Sequence, residues 1–189
     1  MNYIEELKNI FDTVLINEPM SLHTSFKTGG NADVFVKADS AENIVRAVKM
    51  LKYSGVPYYI IGNGSNILVR DAGVRGVIIQ IGSQMNKIDV EGNIIYSQAG
   101  AMLSALSAAA YENSLTGLEF ASGIPGTVGG AVFMNAGAYD GEIKDAIVYA
   151  DVINENGDIF KLSKNELDLS YRHSVISDKN MIAIGAQFE

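Results

Sequence analysis

The stretch from Gly117 to Gly141, GLEFASGIPGTVGGAVFMNAGAYDG, constrains the fold of this chain more than any other. Gly117, Gly123, Gly126, Gly129, Gly130, Gly137 and Gly141 fall within it, and Glu119 is its only charge before Asp140. Glycine at this density strips away side chains, so a neighbour or ligand can lie against the main chain. Leu118, Phe120, Ile124, Val128, Val132, Phe133 and Met134 are interleaved with the glycines. A flexible Gly/Ser linker carries no such hydrophobes. The stretch therefore reads as a buried, tightly turned wall whose backbone N–H groups face a flat or phosphate-bearing ligand. The competing reading is a Gly-rich packing turn between a helix and a strand.

A chain of 189 residues, 48% hydrophobic and 19% charged, suits one large or two small globular domains. No apolar run approaches 18 residues, so no membrane span is expected. The N-terminal MNYIEELKNIFDTVL is amphipathic and acidic, unlike a secretory signal. That pattern, with no Cys at all, fits a cytoplasmic protein and argues against disulfides, thiolate metal sites and cysteinyl-linked flavin. Net charge is −8, with no long basic run, so nucleic acid is not an expected partner. A phosphate, if held, is expected to meet backbone amides and helix ends more than cations. His23 stands without a nearby second His, so no metal site is expected there.

Periodicity predicts a helix over 3–15, a strand near Asp33–Val36, and a second helix from Ser40 to about Tyr53 under an Asp39/Glu42 cap. Tyr58–Ile61 reads as a buried strand, which makes a parallel βαβ unit. Strands are expected at Val77–Ile81 and on both sides of Glu91-Gly92-Asn93, and a buried helix over Ala101–Asn113. Ile147–Ile153 and Asp158–Leu162 flank a hairpin signal at Asn154–Gly157, and Met181–Phe188 reads as the last strand. Composition shifts near residue 80. An α/β subdomain over 1–80 and a mainly antiparallel subdomain over 81–189 are therefore expected, each offering one Gly-rich loop to a cleft.

The first of those loops, Gly62-Asn63-Gly64-Ser65-Asn66, follows the predicted strand Tyr58–Ile61. Ligands collect beyond the carboxyl ends of such strands. The loop offers amides, a hydroxyl and carboxamides without charge, which is chemistry for a diphosphate. It is neither a P-loop nor a dinucleotide fingerprint, and a plain tight turn remains open.

Four segments taken in order, His23–Asp33, Ile61–Val69, Gly117–Gly141 and Ser170-Tyr171-Arg172-His173-Ser174, resemble the UDP-N-acetylenolpyruvoylglucosamine reductase family. The resemblance implies an α+β fold of the vanillyl-alcohol-oxidase (PCMH) type, with two subdomains and FAD extended between them. It implies non-covalent FAD, with the diphosphate at Gly62, Asn63, Gly64, Ser65 and Asn66. Ser122, Gly123, Ile124, Gly126 and Thr127 would lie along the flavin, with Gly129 and Gly130 keeping the backbone close. In that family NADPH reduces FAD, and hydride then passes to the enolpyruvyl double bond of a UDP-sugar, a step of peptidoglycan precursor synthesis. Arg172 matches the family's catalytic arginine and Tyr171 the tyrosine shaping the substrate site, whereas Glu119 and Glu142 are expected to be structural. The resemblance also implies a C-terminal substrate domain that these 189 residues lack, so the chain alone is expected to be inactive. A FAD- or nucleotide-binding module without chemistry is the alternative.

Overall fold

A computed structural model describes residues 3–189, so the first two positions of the expected 1–80 subdomain lie outside the described residues. The chain forms two compact units, one ending at Gln84 and the other spanning Met85–Glu189.

The first unit contains helix α1 (Tyr3–Lys8), strands β1 (Val14–Pro19) and β2 (Asn31–Ala38), helix α2 (Ala41–Tyr53), and strands β3 (Tyr58–Ile61) and β4 (Val74–Ile81). The sheet runs β1-β2-β4-β3, with β2 and β3 both parallel to β4 and β1 antiparallel to β2. Val34, Phe35 and Val36 are buried in succession because β2 is covered on both faces. Helix α2 buries Ile44, Ala47, Val48 and Leu51, one stripe at helical spacing. Its start is capped by Ser40, whose Oγ accepts from the Asn43 amide at 3.2 Å. The expected Asp39/Glu42 cap is thus one residue early; Asp39 instead accepts from Ser40 Oγ and Asn43 Nδ2. The helix ends in a Schellman motif, with Val56 N donating to Leu51 O and Gly55 N to Lys52 O around a left-handed Gly55 at φ +65°.

Two expectations fail here for tertiary reasons. The helix predicted over 3–15 stops at Lys8, because Val14 and Leu15 pair with Val36 and Phe35 of β2. Sheet pairing of a β-branched residue outweighs a local helical pattern. Strand β3 is not buried but lies at the sheet edge, with Tyr59 half exposed.

The second unit holds strands β5 (Ile88–Glu91) and β6 (Ile94–Gln98), helices α3 (Leu103–Glu112) and α4 (Val128–Phe133), and a small hairpin of β7 (Gly137–Ala138) and β8 (Gly141–Glu142). A one-turn helix α5 (Ile143–Ala146), strands β9 (Ile147–Ile153) and β10 (Ile159–Ser163), a short α6 (Val175–Asp178) and strand β11 (Ile182–Phe188) complete it. The sheet order is β10-β9-β11-β6-β5, antiparallel throughout. Asn154 shapes the β9–β10 turn, its Oδ1 accepting from the amides of Asn156 and Asp158, both at 2.9 Å. Ser163 and Glu166 cap each other, but the turn they close does not grow into a helix. Helix α3 buries Leu103, Leu106 and Ala110 and exposes Tyr111, so the buried helix expected there is half exposed. Its outer positions include Ser104, Ala105 and Ala108, small side chains that sit in solvent without needing cover.

Candidate functional site

In the first unit, the Gly62–Asn66 loop follows β3 directly. Its base is fixed by Gln80 Nε2, which donates to Gly62 O at 3.2 Å, and by Ser25 N, which donates to Gly64 O at 3.1 Å. Gly64 is left-handed at φ +66°, and a Cβ there would run into the carbonyl of His23. Its missing side chain therefore lets two loops of the protein touch, and is not aimed at ligand space. Gly30 and Gly73 do the same, a Cβ on each colliding with the backbone at Asp71 and Asn31. His23 is held from the other side by stacking on Phe35, centroids 3.9 Å apart, and by a 2.8 Å contact to Glu18. Asn63 and Asn66, the two carboxamides of the loop, reach the surface.

In the second unit, the Gly117–Gly141 stretch becomes a 3-10 turn (Glu119–Gly123), α4 and the β7–β8 hairpin. Its backbone is tied inward over 126–129: Leu103 N donates to Gly126 O at 3.0 Å, Val128 N to Ala101 O and Gly129 N to Ala99 O, both at 2.8 Å. The Val128 and Gly129 amides therefore point into the protein, where the sequence predicts N–H groups facing a ligand. Thr127 is buried, Ile124 is partly buried against the core, and a Cβ on Gly129 would meet that of Ala99 at 2.8 Å. Gly129 thus serves internal packing. Gly123 and Gly130 are exposed, with nothing within 4 Å of a Cβ on Gly123 and only Thr127 Oγ1, at 3.7 Å, near one on Gly130. Ser122 is exposed beside them and donates its Oγ to Glu119 O at 2.8 Å. With Glu119, Ser104, Ser107 and Tyr111 it also lines a groove of about 340 Å³.

Tyr171 and Arg172 form the tip of a two-residue turn closed by Ser170 and His173, whose backbones exchange bonds of 3.2 and 3.1 Å. Arg172 is left-handed at φ +55°, unusual for a side chain of this size. Its guanidinium reaches Gly137 O at 3.4 Å and lies 5.6 Å from the Tyr171 ring centroid. Both side chains are exposed, Tyr171 at 86%. Behind the turn, His173 bonds Asp178 at 2.9 Å and the Asp168 carbonyl at 3.2 Å. The hydrogen bond to Asp178, partly offset by burial, holds the His173 pKa above its ordinary value. Neither Glu119 nor Glu142 is unengaged: Glu119 accepts from Gly117 N, and Glu142 bonds Asn135 and Lys144 and enters a capping box with Asp145.

Asn135 carries a role that the sequence did not disclose. It is 2% exposed, left-handed at φ +45°, and both its amide nitrogen and its amide oxygen are engaged. Nδ2 donates to Ser170 O at 3.0 Å and to the Glu142 carboxylate, and Oδ1 accepts from Lys144 N at 2.9 Å. The available signal was an Asn immediately after an apolar helix and before Ala-Gly, a position suited to a left-handed cap.

A parallel-stranded α+β unit with an uncharged Gly loop beyond an edge strand, next in sequence to an antiparallel unit with a Gly-rich segment, is the two-unit FAD-binding fold of the vanillyl-alcohol-oxidase type. The backbone superposes on p-cresol methylhydroxylase with a TM-score of 0.69 over 98% of this chain and 42% of that one, at 19% identity, a likeness of fold. A sequence profile described as FAD binding domain matches residues 32–163, and the chain belongs to that family. It is 50% identical over 184 residues to UDP-N-acetylenolpyruvoylglucosamine reductase of Clostridium novyi, covering 97% of this chain and 57% of that protein. The crystal structure of the reductase from Thermus caldophilus matches with a TM-score of 0.78 and 30% identity, over 94% of this chain and 61% of that one. The chain thus spans about three fifths of the length of these relatives. Among the described residues, no helix is long and apolar enough to cross a membrane.

Proposed function

We propose that this chain supplies the FAD-binding part of an NADPH-dependent reductase. The reductase converts UDP-N-acetylenolpyruvoylglucosamine to UDP-N-acetylmuramate for peptidoglycan precursors in the cytoplasm. The observation that carries the reading is the identity of half the residues with a reductase of that name across 97% of the chain. The donor set fits FAD: the loop after β3 is uncharged with two carboxamides at the surface, and Gly123 and Gly130 leave open space beside the Ser122 hydroxyl.

Gly62, Asn63, Gly64, Ser65 and Asn66 would hold the diphosphate, with Gly64 shaping the loop from behind. Ser122, Gly123 and Gly130 would border the flavin, while Ile124, Gly126, Thr127 and Gly129 would support that border through the core. FAD, when bound, would supply hydride-transfer chemistry for the enolpyruvyl double bond, with NADPH as the reductant. The carbanion-like charge that develops in the substrate needs a cation that never deprotonates. A guanidinium meets that need and forks onto carboxylate oxygens. Arg172 would take this role, with Tyr171 beside it to shape the substrate pocket. No Cys is present and His23 is engaged with Phe35 and Glu18, so the flavin would be non-covalent.

Titration of apo-protein with FAD tests the first half, and acid precipitation should leave the flavin in the supernatant. Flavin in the pellet would overturn the non-covalent claim, and no uptake would overturn FAD itself. Stopped-flow absorbance of the full gene product tests the second half. NADPH should bleach the flavin and the enolpyruvyl sugar restore its colour. Arg172→Ala should slow only the restoration, by about 10²–10³-fold, as for loss of one transition-state donor.

A further inference from the structure

The residues 133–137 grip the Tyr171–Arg172 turn at three points. Ser174 Oγ donates to Phe133 O at 2.5 Å, Asn135 Nδ2 to Ser170 O at 3.0 Å, and Arg172 itself to Gly137 O at 3.4 Å. The outer two are a buried hydroxyl and an exposed guanidinium on a long, weak bond. The middle one comes from a buried amide with further partners. Its nitrogen also donates to Glu142 and its oxygen accepts from Lys144 N, so one side chain locks the turn to the β7–β8 hairpin and to the start of α5.

Asn is the one side chain that meets these demands. The position needs two donors and one acceptor at short reach, on a left-handed backbone. Asp has the shape but no donor, Ser has one donor, and Gln carries an extra methylene into a closed space. Asn also tolerates left-handed geometry better than other side chains. A guanidinium on a flexible stem loses much freedom when fixed, so a turn already held in place lowers the cost of presenting it.

We infer that Asn135 is the positioning residue for Arg172: it fixes the 170–173 turn so that the guanidinium stands in one place before substrate arrives. This rests on reading Arg172 as the substrate-facing arginine. Asn135 touches neither substrate nor cofactor in this account and acts through the turn alone.

Trypsin reads the turn without any turnover. The Arg172–His173 bond is exposed but held; Lys164–Asn165, in the same unit and outside the Asn135 network, is the internal reference. Asn135→Gly removes the amide while keeping an easy left-handed backbone. Cutting at Arg172 should rise about tenfold or more as the side chain's hydrogen bonds are lost, with cutting at Lys164 changing less than about twofold. Equal acceleration at both bonds would show that Asn135 merely holds the fold, and no change at Arg172 would show that it holds nothing; either overturns the inference. If the Gly variant does not fold, Asn135→Asp keeps the acceptor for Lys144 N and lacks the donor for Ser170, and the same selective pattern is expected.

A double-mutant cycle in the full gene product separates the two claims. Asn135→Gly with Arg172→Ala should restore flavin colour no more slowly than Arg172→Ala alone, because both changes remove one function. Independent, multiplying losses would overturn the positioning role. A silent Arg172→Ala would instead sink the catalytic reading of Arg172, whatever trypsin shows.

Discussion

The carbonyl of His23 occupies the place where a Cβ on Gly64 would have to stand. The loop that is proposed to hold the diphosphate is therefore shaped by contact with another loop of the same unit. The shared contact joins a segment near residue 23 to one near residue 64, and the Ser25 N to Gly64 O bond continues it.

Gly64→Ala should consequently destabilise the protein even without flavin. A left-handed non-glycine costs about 1–2 kcal/mol, and overpacking against a fixed carbonyl adds about 1–3 kcal/mol. Thermal denaturation of the apo-protein should show a fall of several degrees, with FAD affinity falling as the loop distorts. An unchanged apo melting temperature with lost FAD binding would mean that the side chain obstructs ligand directly.

The two helical glycines of α4 should behave oppositely. A Cβ on Gly129 meets Ala99 at 2.8 Å, whereas one on Gly130 meets only open space and Thr127 Oγ1. Gly129→Ala is expected to destabilise by about 1–3 kcal/mol through overpacking. Gly130→Ala should stabilise the apo-protein by about 0.5–1 kcal/mol, the ordinary gain of Ala over Gly inside a helix. If the flavin rests against Gly130 the same change should weaken FAD. Paired melting curves and FAD titrations check both, and unchanged affinity in Gly130→Ala would remove that residue from the cofactor's border.

How much of this was legible in the sequence depends on whether the cause was local. The span of α2 was legible to within one residue at its cap, because Ser40 and Gly55 bound it by rules within one turn, and Asn154–Gly157 sets its hairpin alone. The end of α1 at Lys8 was not legible, because the competitor for Val14 is Val36 of β2. In the candidate site, glycine density marked segments where the backbone makes close approaches, but not the partners of those approaches. Gly64 faces His23 and Gly129 faces Ala99, contacts that exist only after folding. Tyr171 and Arg172 are proposed from a motif, whereas the hydrogen bonds of Asn135 were hidden: its three partners at 142, 144 and 170 share no sequence spacing with it.

Arg172 holds its place at the cost of backbone strain. At φ +55° a glycine would be relaxed, and the Arg172 side chain is exposed with one bond at 3.4 Å. Arg172→Gly should therefore raise the melting temperature slightly, by about 0.5–1 kcal/mol of stability, while removing the guanidinium. A gain in stability with slower flavin reoxidation by substrate would mark a residue kept for chemistry against the preference of its own backbone. A large loss of stability would show instead that the bond to Gly137 O anchors the turn.

His173 bonds the Asp178 carboxylate and the Asp168 carbonyl, and its pKa lies above the ordinary value near 6.5. Protonated His173 is thus favoured by the folded turn, and the stabilisation it brings is complete below the unfolded pKa. It is lost as pH rises through the folded pKa, so the segment from Asp168 to Asp178 should be tighter at about pH 6 than at about pH 8. Exchange of the His173 and Val175 amides, which donate to Ser170 O and Leu167 O, should report more frequent opening at the higher pH once corrected for intrinsic chemical rates. His173→Gln should flatten that difference, while amides of β9, in the sheet and outside the 168–178 segment, should be unaffected. Opening that stays constant across that range in the wild-type protein, or a pH response that survives His173→Gln, would show that the pair with Asp178 does not govern the turn that carries Arg172.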